Sequence, residues 1–384
     1  MEAQNSWVNG GFGRLENGSG TSEKNSETFQ TVQLQMAIDW QLSDSFLLHS
    51  HTQARMDDSE LDSFGLVEAY IEYFPADEED DHLFSIRLGQ EFFSSSQENI
   101  LDLWQSPYTL TYSSWNTWIA QEFRPIALSF DYTYQIDETE SLLFGLSGFK
   151  GNDSLGSQLA WGGWRMGNRL SVYGEVLPLP QLFSLDNDAA DGFFSDQRDD
   201  GSKPFGSDLD DNLGYTARIK WQEEQSFNIQ LSHVDNQGDR ELHRGEYAWD
   251  TSFSSISFQT QINPFWELLG EFSAGKTGMG GGAAAVDVDF RNSYLMASRN
   301  EQAHRISIRF DNFELIEKDF SPGENNQDKG NAWTLAWLYQ TVPEWRLGIE
   351  FLHLSGDRPG LAQSDELTES DDDILTFEVR YIFD

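Results

Sequence analysis

Apolar and polar residues alternate along much of the chain. From Thr31 to Leu42 every even position is apolar and most odd positions are polar. Successive side chains of a β-strand point to opposite faces, so this period of two predicts a strand with one apolar and one polar face. The same pattern recurs in residues 126–134, 215–221 and 305–311. No stretch of similar length follows the 3.6-residue period of a helix, and we therefore predict an all-β fold.

Short turns alternate with long polar connections, such as residues 179–211 and 356–373. Membrane-spanning barrels have short turns on one rim and longer loops on the other. They must close, because an open sheet edge in hydrocarbon leaves backbone groups unpaired. The pattern predicts one domain, residues 1–384, forming a closed antiparallel transmembrane β-barrel of about 18 strands, with about 16 as the alternative. The alternative count stays open because of uncertain segments at residues 6–15, 142–149 and 159–166.

Aromatic residues occupy apolar positions near the ends of the predicted strands. These residues are Trp40, Tyr73, Tyr134, Trp221, Trp266, Trp333, Trp345 and Tyr381. Trp and Tyr at strand ends are typical of the girdles at membrane interfaces. A soluble sandwich would show the same alternation, but its shared core would be rich in Val, Ile and Leu. The membrane barrel is therefore favoured, and a soluble, secreted, acidic all-β protein that binds or cleaves carbohydrate is the alternative.

The chain is strongly acidic, with 24 Lys and Arg residues against 65 Asp and Glu residues and a formal net charge of −41. Nucleic-acid-binding proteins need a basic surface, so this class is excluded. The absence of cysteine excludes disulfides, thiolate metal sites and cysteine nucleophiles. The chain starts Met1-Glu2-Ala3 with no signal peptide, so an exported protein would be the processed form.

Charges of both signs occupy the polar face of the predicted strands and would line the lumen. The candidate wall residues are Arg55, Glu68, Glu72, Arg87, Asp131, Arg218, Lys220, Glu267, Glu271, Arg305, Arg309, Arg346 and Arg380. The same reading places Asp287, Asp289 and Arg291 on the wall. The acidic excess lies in the long connections, where carboxylates would attract cations to the mouth and could hold Ca²⁺ or Mg²⁺ loosely.

The last strand carries apolar residues at Leu375, Phe377, Val379, Tyr381 and Phe383. A final alternating strand with a terminal aromatic resembles the assembly signal of Gram-negative outer-membrane porins, which have 16 or 18 strands. The resemblance implies a channel for passive diffusion of small polar solutes, with no cofactor, metal or catalysis. It is compatible with a monomer or a homotrimer. A non-conducting barrel that serves as an adhesin or assembly partner is a further alternative.

Residues 92–123 form an unusually aromatic connection, the third long one. Ser95 and Glu98 have the spacing of a capping box and predict a short helix that ends near Trp104. In many porins the third long loop folds into the tube, so the resemblance implies a constriction here; the alternative is a loop packed over the rim. Its candidate residues are Glu98, Asp102, Tyr108, Tyr112, Trp115, Trp118 and Glu122. The acidic ones would face basic wall residues, with Arg55, Arg87 and Arg218 as candidates.

One nucleotide-binding pattern is present, because Gly270–Thr277 matches the P-loop consensus. A P-loop needs a helix after its glycines, whereas this segment alternates as a strand and is followed by further glycines. We interpret the match as accidental and predict no enzymatic activity.

Overall fold

A computed structural model describes residues 1–9, 13–14, 19–20, 22, 28–57, 63–75, 81–186, 193–197, 201–224, 226–282, 284–321, 324–364 and 368–383. Sixteen strands in these ranges form one closed antiparallel barrel. They are β1 (Glu2–Asn9), β2 (Thr28–Ser43), β3 (Phe46–Asp57), β4 (Ser63–Tyr73), β5 (His82–Gln90), β6 (Ile126–Gln135), β7 (Glu140–Lys150), β8 (Gly214–Glu223), β9 (Phe227–Asp235), β10 (Asp250–Asn263), β11 (Trp266–Gly281), β12 (Ala284–Glu301), β13 (His304–Glu317), β14 (Asp328–Val342), β15 (Trp345–Asp357) and β16 (Glu369–Tyr381). The described connections contain two α-helices, α1 (Ser114–Glu122) and α2 (Ser157–Gly162). None of the described helices has the length and apolar character needed to cross a membrane.

The first and last strands close the barrel. Glu2 of β1 pairs with Arg380 of β16 on one side and with Gln33 of β2 on the other. The amino group of Met1 donates a hydrogen bond of 2.8 Å to the carbonyl oxygen of Tyr381. Both described termini therefore lie at the end that carries the short turns, as an even number of strands requires.

The predicted closed antiparallel barrel is confirmed, with 16 strands; the count of 18 is wrong. Residues 142–149 do form a strand, β7, and the first strand is Glu2–Asn9. Residues 159–166 instead contain α2 and an irregular segment, inside one long connection from 151 to 213. Leu159, Trp161 and Trp164 there are at most 1 % exposed. A segment that is buried on all sides has no polar face, so its weak alternation carried no information about a strand.

The apolar positions of β2 face outward. Trp40 is 62 % exposed and Ile38 54 %, whereas the alternate residues Thr31 and Gln33 are 3 % exposed. The outward apolar row from Val32 to Leu42 spans about 33 Å at about 3.3 Å per residue. A strand tilt of about 40° reduces this to a band about 25 Å high, the height of the apolar belt of outer-membrane barrels.

Aromatic side chains cluster on the outside at the short-turn end. Phe46 contacts Tyr73, with ring centroids 5.1 Å apart, and Trp345 contacts Tyr381 at 4.9 Å. Trp333 is the exception among the predicted girdle residues, because it lies nearer the long-loop end of β14 and packs against Phe310 at 4.6 Å. This outer surface does not fit the soluble alternative, in which the apolar face would be covered by a second protein layer.

The alternation is inverted at the long-loop end of β12. Val286, Val288 and Phe290 are at most 1 % exposed and point inward. The side chains of Asp287 and Asp289 between them are 41 % and 46 % exposed, and Arg291 is also exposed. The expectation that these three charged residues line the lumen is therefore wrong. The physical reason is that the long connections fill the barrel at this height, so the inward face packs in a core.

Of the neighbouring strands in the described barrel, β4 and β5 have the fewest paired residues. Five residue pairs, from Ala69–Gln90 to Tyr73–Ile86, join these two strands, whereas sixteen pairs join β11 and β12. Gly89 in this seam has φ +146°, and a Cβ atom there would lie 2.2 Å from the Ala69 carbonyl oxygen. Only glycine therefore permits this close strand approach.

Candidate functional site: the filled interior of the barrel

The connection between β5 and β6, residues 91–125 and called L3 below, contacts inward positions of the barrel wall. Its helix α1 begins after Ser113, whose hydroxyl accepts a 3.2 Å hydrogen bond from the amide of Asn116. The predicted helix between Ser95 and Trp104 is wrong: apart from a single 3₁₀ turn at Asp102–Trp104, that stretch is irregular. The Glu98 carboxylate that would complete the capping box binds the barrel wall instead.

Glu98 is the centre of a buried ionic network. Its carboxylate accepts a hydrogen bond from the guanidinium of Arg309 on β13, and both side chains are fully buried. Arg309 also binds Asp311 through Nε, at 2.7 Å. Glu98 accepts further hydrogen bonds from the Ser113 amide at 2.9 Å and the Asn116 side chain at 3.0 Å. Buried charges need such partners, so the network fixes L3 on β13.

Two more wall carboxylates bind L3. Glu350 on β15 accepts hydrogen bonds from the amides of Leu110, at 2.7 Å, and Thr111, at 3.0 Å. The Tyr108 hydroxyl donates to Glu267 on β11 at 3.1 Å, and burial raises the pKa of Tyr108 above its ordinary value. L3 is thus attached along the wall from β11 to β15.

The aromatic residues of L3 form the core inside the barrel. Trp115 and Trp118 have ring centroids 5.2 Å apart, and Trp118 lies 5.4 Å from both Phe253 of β10 and Phe290 of β12. Tyr112 donates a hydrogen bond of 3.4 Å to the carbonyl oxygen of Trp104. These side chains are all buried, so the aromatic composition of L3 reflects packing and not contact with water.

Glu122 lies at the C-terminal end of α1 and binds the N-terminus of α2. Its carboxylate accepts hydrogen bonds from the amides of Gln158, at 2.9 Å, and Leu159, at 3.2 Å. The hydroxyl of Ser157 and the indole of Trp118 donate to it as well, at 3.2 and 2.6 Å. Burial nevertheless raises the pKa of Glu122 to about 7.

A less crowded region faces β5 to β8. Asp131 binds Arg87 at 2.6 Å and Arg218 at 2.7 Å, and Arg87 also binds Glu91 at 2.9 Å. Arg87, Asp131 and Arg218 are partly exposed, unlike the network around Arg309, whereas Glu91 is buried. They border a narrow cleft of about 20 Å³, open to solvent, whose other side is formed by the first residues of L3, including Phe93.

All thirteen candidate wall residues lie at inward positions of their strands, but they differ in their partners. Arg305 binds Glu267 at 2.5 Å, and the Tyr294 hydroxyl donates to Glu271 at 2.8 Å. Glu68 accepts a hydrogen bond from the Phe92 amide at 2.8 Å. The remaining ones bind neighbouring wall groups or lie beside them: Arg55 with Asp57, Glu72 with Arg87, Lys220 near Arg218, Arg346 with Glu378, and Arg380 with Glu2.

Two of the three predicted acidic residues of L3, Glu98 and Glu122, bind other partners than Arg55, Arg87 and Arg218. Glu98 pairs with Arg309, Glu122 caps α2, and Asp102 is exposed. Arg55 instead donates to the Asn168 side chain at 3.1 Å, in the connection 151–213. Spacing along the chain could not indicate which strand lies under which part of L3.

The connection between β7 and β8, residues 151–213, is called L4 below. Sequence reasoning predicted a long connection over residues 179–211 but missed that L4 begins at residue 151 and packs inside the barrel. Its described part, residues 151–186, 193–197 and 201–213, packs on L3 and on the barrel wall. Arg358 after β15 donates to the carbonyl oxygens of Trp161 and Gly162 at the end of α2. The inverted polarity of β12 was the available signal, because apolar residues that face the inside of a barrel require something apolar to fill it.

Two groups of three carboxylates lie close together in the described loops or at a strand end. They are Asp153, Asp208 and Asp210, and Glu317, Asp319 and Glu324, with ligand atoms within 4.8 Å in each group. Burial and the neighbouring carboxylates raise the pKa of Asp153 to about 6 and that of Glu324 to about 9. Loose binding of Ca²⁺ or Mg²⁺ by acidic loops stays a prediction. Many of the other acidic loop positions, including 58–62, 187–192 and 365–367, lie outside the described residues.

Similarity to known proteins is visible in the fold and not in the sequence. No protein-family model matches the chain, and no curated protein matches it. The barrel is similar to the outer membrane channel DcaP of Acinetobacter baumannii, with 11 % identity, coverage of 100 % of this chain and 95 % of that one, and a TM-score of 0.54. It is also similar to OprB of Pseudomonas putida, with 9 % identity, coverage of 100 % of this chain and 93 % of that one, and a TM-score of 0.53. An anion-selective porin from Comamonas acidovorans has 10 % identity, coverage of 100 % of this chain and 99 % of that one, and a TM-score of 0.53. The chain thus has the 16-stranded porin-like fold.

Proposed function

We propose that this protein is an outer-membrane channel for passive diffusion of small polar solutes. The observation that carries the proposal is the arrangement of the closed barrel, with an exposed apolar belt outside and charged side chains inside. Such a barrel is stable only with lipid around the belt, since lipid removes the exposed apolar side chains from water. Its structural neighbours include an outer membrane channel and a porin.

We further propose that L3 is the constriction. Glu98, Tyr108, Tyr112, Trp115, Trp118 and Glu122 are all buried within the barrel. The charged cleft of Arg87, Asp131 and Arg218 lies between the wall and the first residues of L3. Polar solutes would pass beside these groups, which carry both signs of charge.

Acidic connections support a mild preference for cations. The chain has a net charge of −41, while the inward wall is nearly balanced, so the excess lies mostly outside the lumen. A negative mouth raises the local concentration of cations and their rate of entry.

Single-channel recording in planar bilayers tests the channel. We expect discrete conductance steps and, across a KCl gradient, a reversal potential that reports potassium as the main carrier. Heat-modifiable mobility on gels first verifies that the barrel is folded. Folded protein without steps would contradict the channel and favour the adhesin or assembly alternative, and a current carried mainly by chloride would contradict the cation preference.

Replacing residues 98–118 by a short flexible linker tests the constriction. We expect larger steps than those of the unaltered protein, and unchanged steps would remove L3 from the constriction. Chemical cross-linking in the membrane distinguishes a monomer from a homotrimer; one neighbour of this fold, OmpT of Vibrio cholerae, has been described in a trimer form.

A further inference from the structure

L4 is held at both ends of its helix α2 inside the barrel. At the N-terminus of α2, Glu122 of L3 accepts hydrogen bonds from two amides. At the C-terminus, Arg358 donates to two carbonyl oxygens, and the Asn326 side chain donates to the Ala160 carbonyl at 3.1 Å. The Trp164 amide that follows donates to Asp328 of β14 at 2.8 Å. The helix therefore reaches from L3 to the wall formed by β14 and β15.

The wall offers L4 an apolar socket. The ring centroid of Trp164 lies 6.1 Å from that of Phe290 of β12 and 6.4 Å from that of Phe313 of β13. Trp161 belongs to a second buried cluster, which includes Met279 of β11 and Val286 of β12. These wall residues are on the inward face, which is mostly polar nearer the short-turn end of the same strands. In a water-filled lumen, apolar side chains at this height would be exposed to water, which is unfavourable; their burial requires L4.

L3 and L4 also contact each other away from α2. The guanidinium of Arg124 in L3 lies between the rings of Phe92 and Phe205, 4.5 Å from each centroid. The same group donates to the Ser171 carbonyl oxygen in L4, and the Tyr112 amide donates to the Gly167 carbonyl at 2.9 Å. The two connections therefore form one packed unit.

We propose that residues 151–186 of L4 form a plug in the long-loop half of the barrel and that this plug, packed on L3, sets the upper size limit of the channel together with L3. This inference rests on the proposed channel function and deepens it. Ions and polar solutes cannot cross an aromatic core without losing their hydration, which is strongly unfavourable. We place the solute route past the plug on the charged side of the lumen near Arg87 and Arg218, where the described residues leave a narrow cleft. Glu122 and Arg358 are positioning residues, because they hold α2 and both side chains are buried.

The test replaces residues 157–166 by a Gly-Ser linker of equal length and records single channels beside the unaltered protein. We expect conductance to rise about twofold or more, because the narrowest cross-section controls ion flow. Sugars excluded by the unaltered protein should then enter in liposome-swelling assays. The control is Phe183→Ser with Leu213→Ser, two exposed L4 residues whose replacement should leave both readouts unchanged.

The outcomes separate the plug from the channel. If the unaltered protein and the linker variant show conductance steps of the same size, the plug is overturned, whereas the channel function is supported. A silent unaltered protein with a conducting linker variant supports the plug and overturns constitutive diffusion. If neither the unaltered protein nor the linker variant conducts although both barrels are folded, the plug and the channel function are both overturned. If the linker variant fails to fold, Arg358→Met provides the test: it frees the end of α2 and should raise the mean conductance, and an unchanged mean overturns the plug.

Discussion

At the scale of single residues, the interior depends on charges that are completely buried. Arg309 is in contact with Glu98 and Asp311, and none of the three side chains is exposed. Removing one partner of such a network leaves uncompensated charge away from water, which costs far more than losing a surface pair.

We expect Arg309→Met to lower the free energy of unfolding by about 3 to 5 kcal/mol, because Glu98 and Asp311 would stay buried without their cation. Urea unfolding in detergent micelles measures the change. Arg291→Met on the neighbouring strand is the matched control, since Arg291 faces outward and is exposed; its effect should stay within about 0.5 kcal/mol. Equal effects of the two substitutions would contradict the structural role of the network.

The Glu122 carboxylate gives the molecule a pH dependence with a defined sign. Burial raises its pKa from the ordinary 4.5 to about 7, although four donors, from Trp118, Ser157, Gln158 and Leu159, surround it. The folded protein therefore binds a proton there between about pH 4.5 and 7 that the unfolded chain releases. The stability that this proton contributes is present below that window and is lost as the pH rises through it.

Glu122→Gln should remove this contribution. The free energy of unfolding of the unaltered protein, minus that of the variant, is expected to fall as the pH is raised from about 5 to about 8. Other titrating groups are common to both proteins and cancel in the difference. A difference that is constant over this range would show that Glu122 does not titrate there.

At the scale of elements, the period-two pattern located strands well where lipid-facing and inward residues differ sharply in polarity, as in Val32 to Leu42. It failed where that contrast is absent. Residues 159–166 are buried on every side, and β12 reverses its polarity beside the plug. The partners of L3 could not be predicted either, because Glu98 and Arg309 are separated by 211 positions and only the closed topology brings them together.

At the scale of the whole molecule, the apolar belt defines where the barrel would sit in a bilayer. Met36 lies near the middle of the outward row of β2 and is 47 % exposed. In a lipid bilayer, Met36→Arg should destabilise the barrel by about 2 to 4 kcal/mol, the cost of an arginine near the midplane.

The matched control is Ser355→Arg, at an outward position near the long-loop end of β15, where the cost should be about 0 to 1 kcal/mol. Unfolding in vesicles by urea gives both values. A small effect at Met36 would mean that this surface is not covered by hydrocarbon, and the membrane position would have to be reconsidered.

The narrow contact of β4 with β5 has a mechanical consequence. Backbone hydrogen bonds between neighbouring strands resist separation together, and a row of five residue pairs holds far less than a row of sixteen. Under lateral tension, strands β4 and β5 would separate first, along residues Ala69 to Tyr73. Strands β10 to β16 would stay together as one sheet. Amide protons between β4 and β5 should therefore exchange with deuterium before those of any other described strand pair.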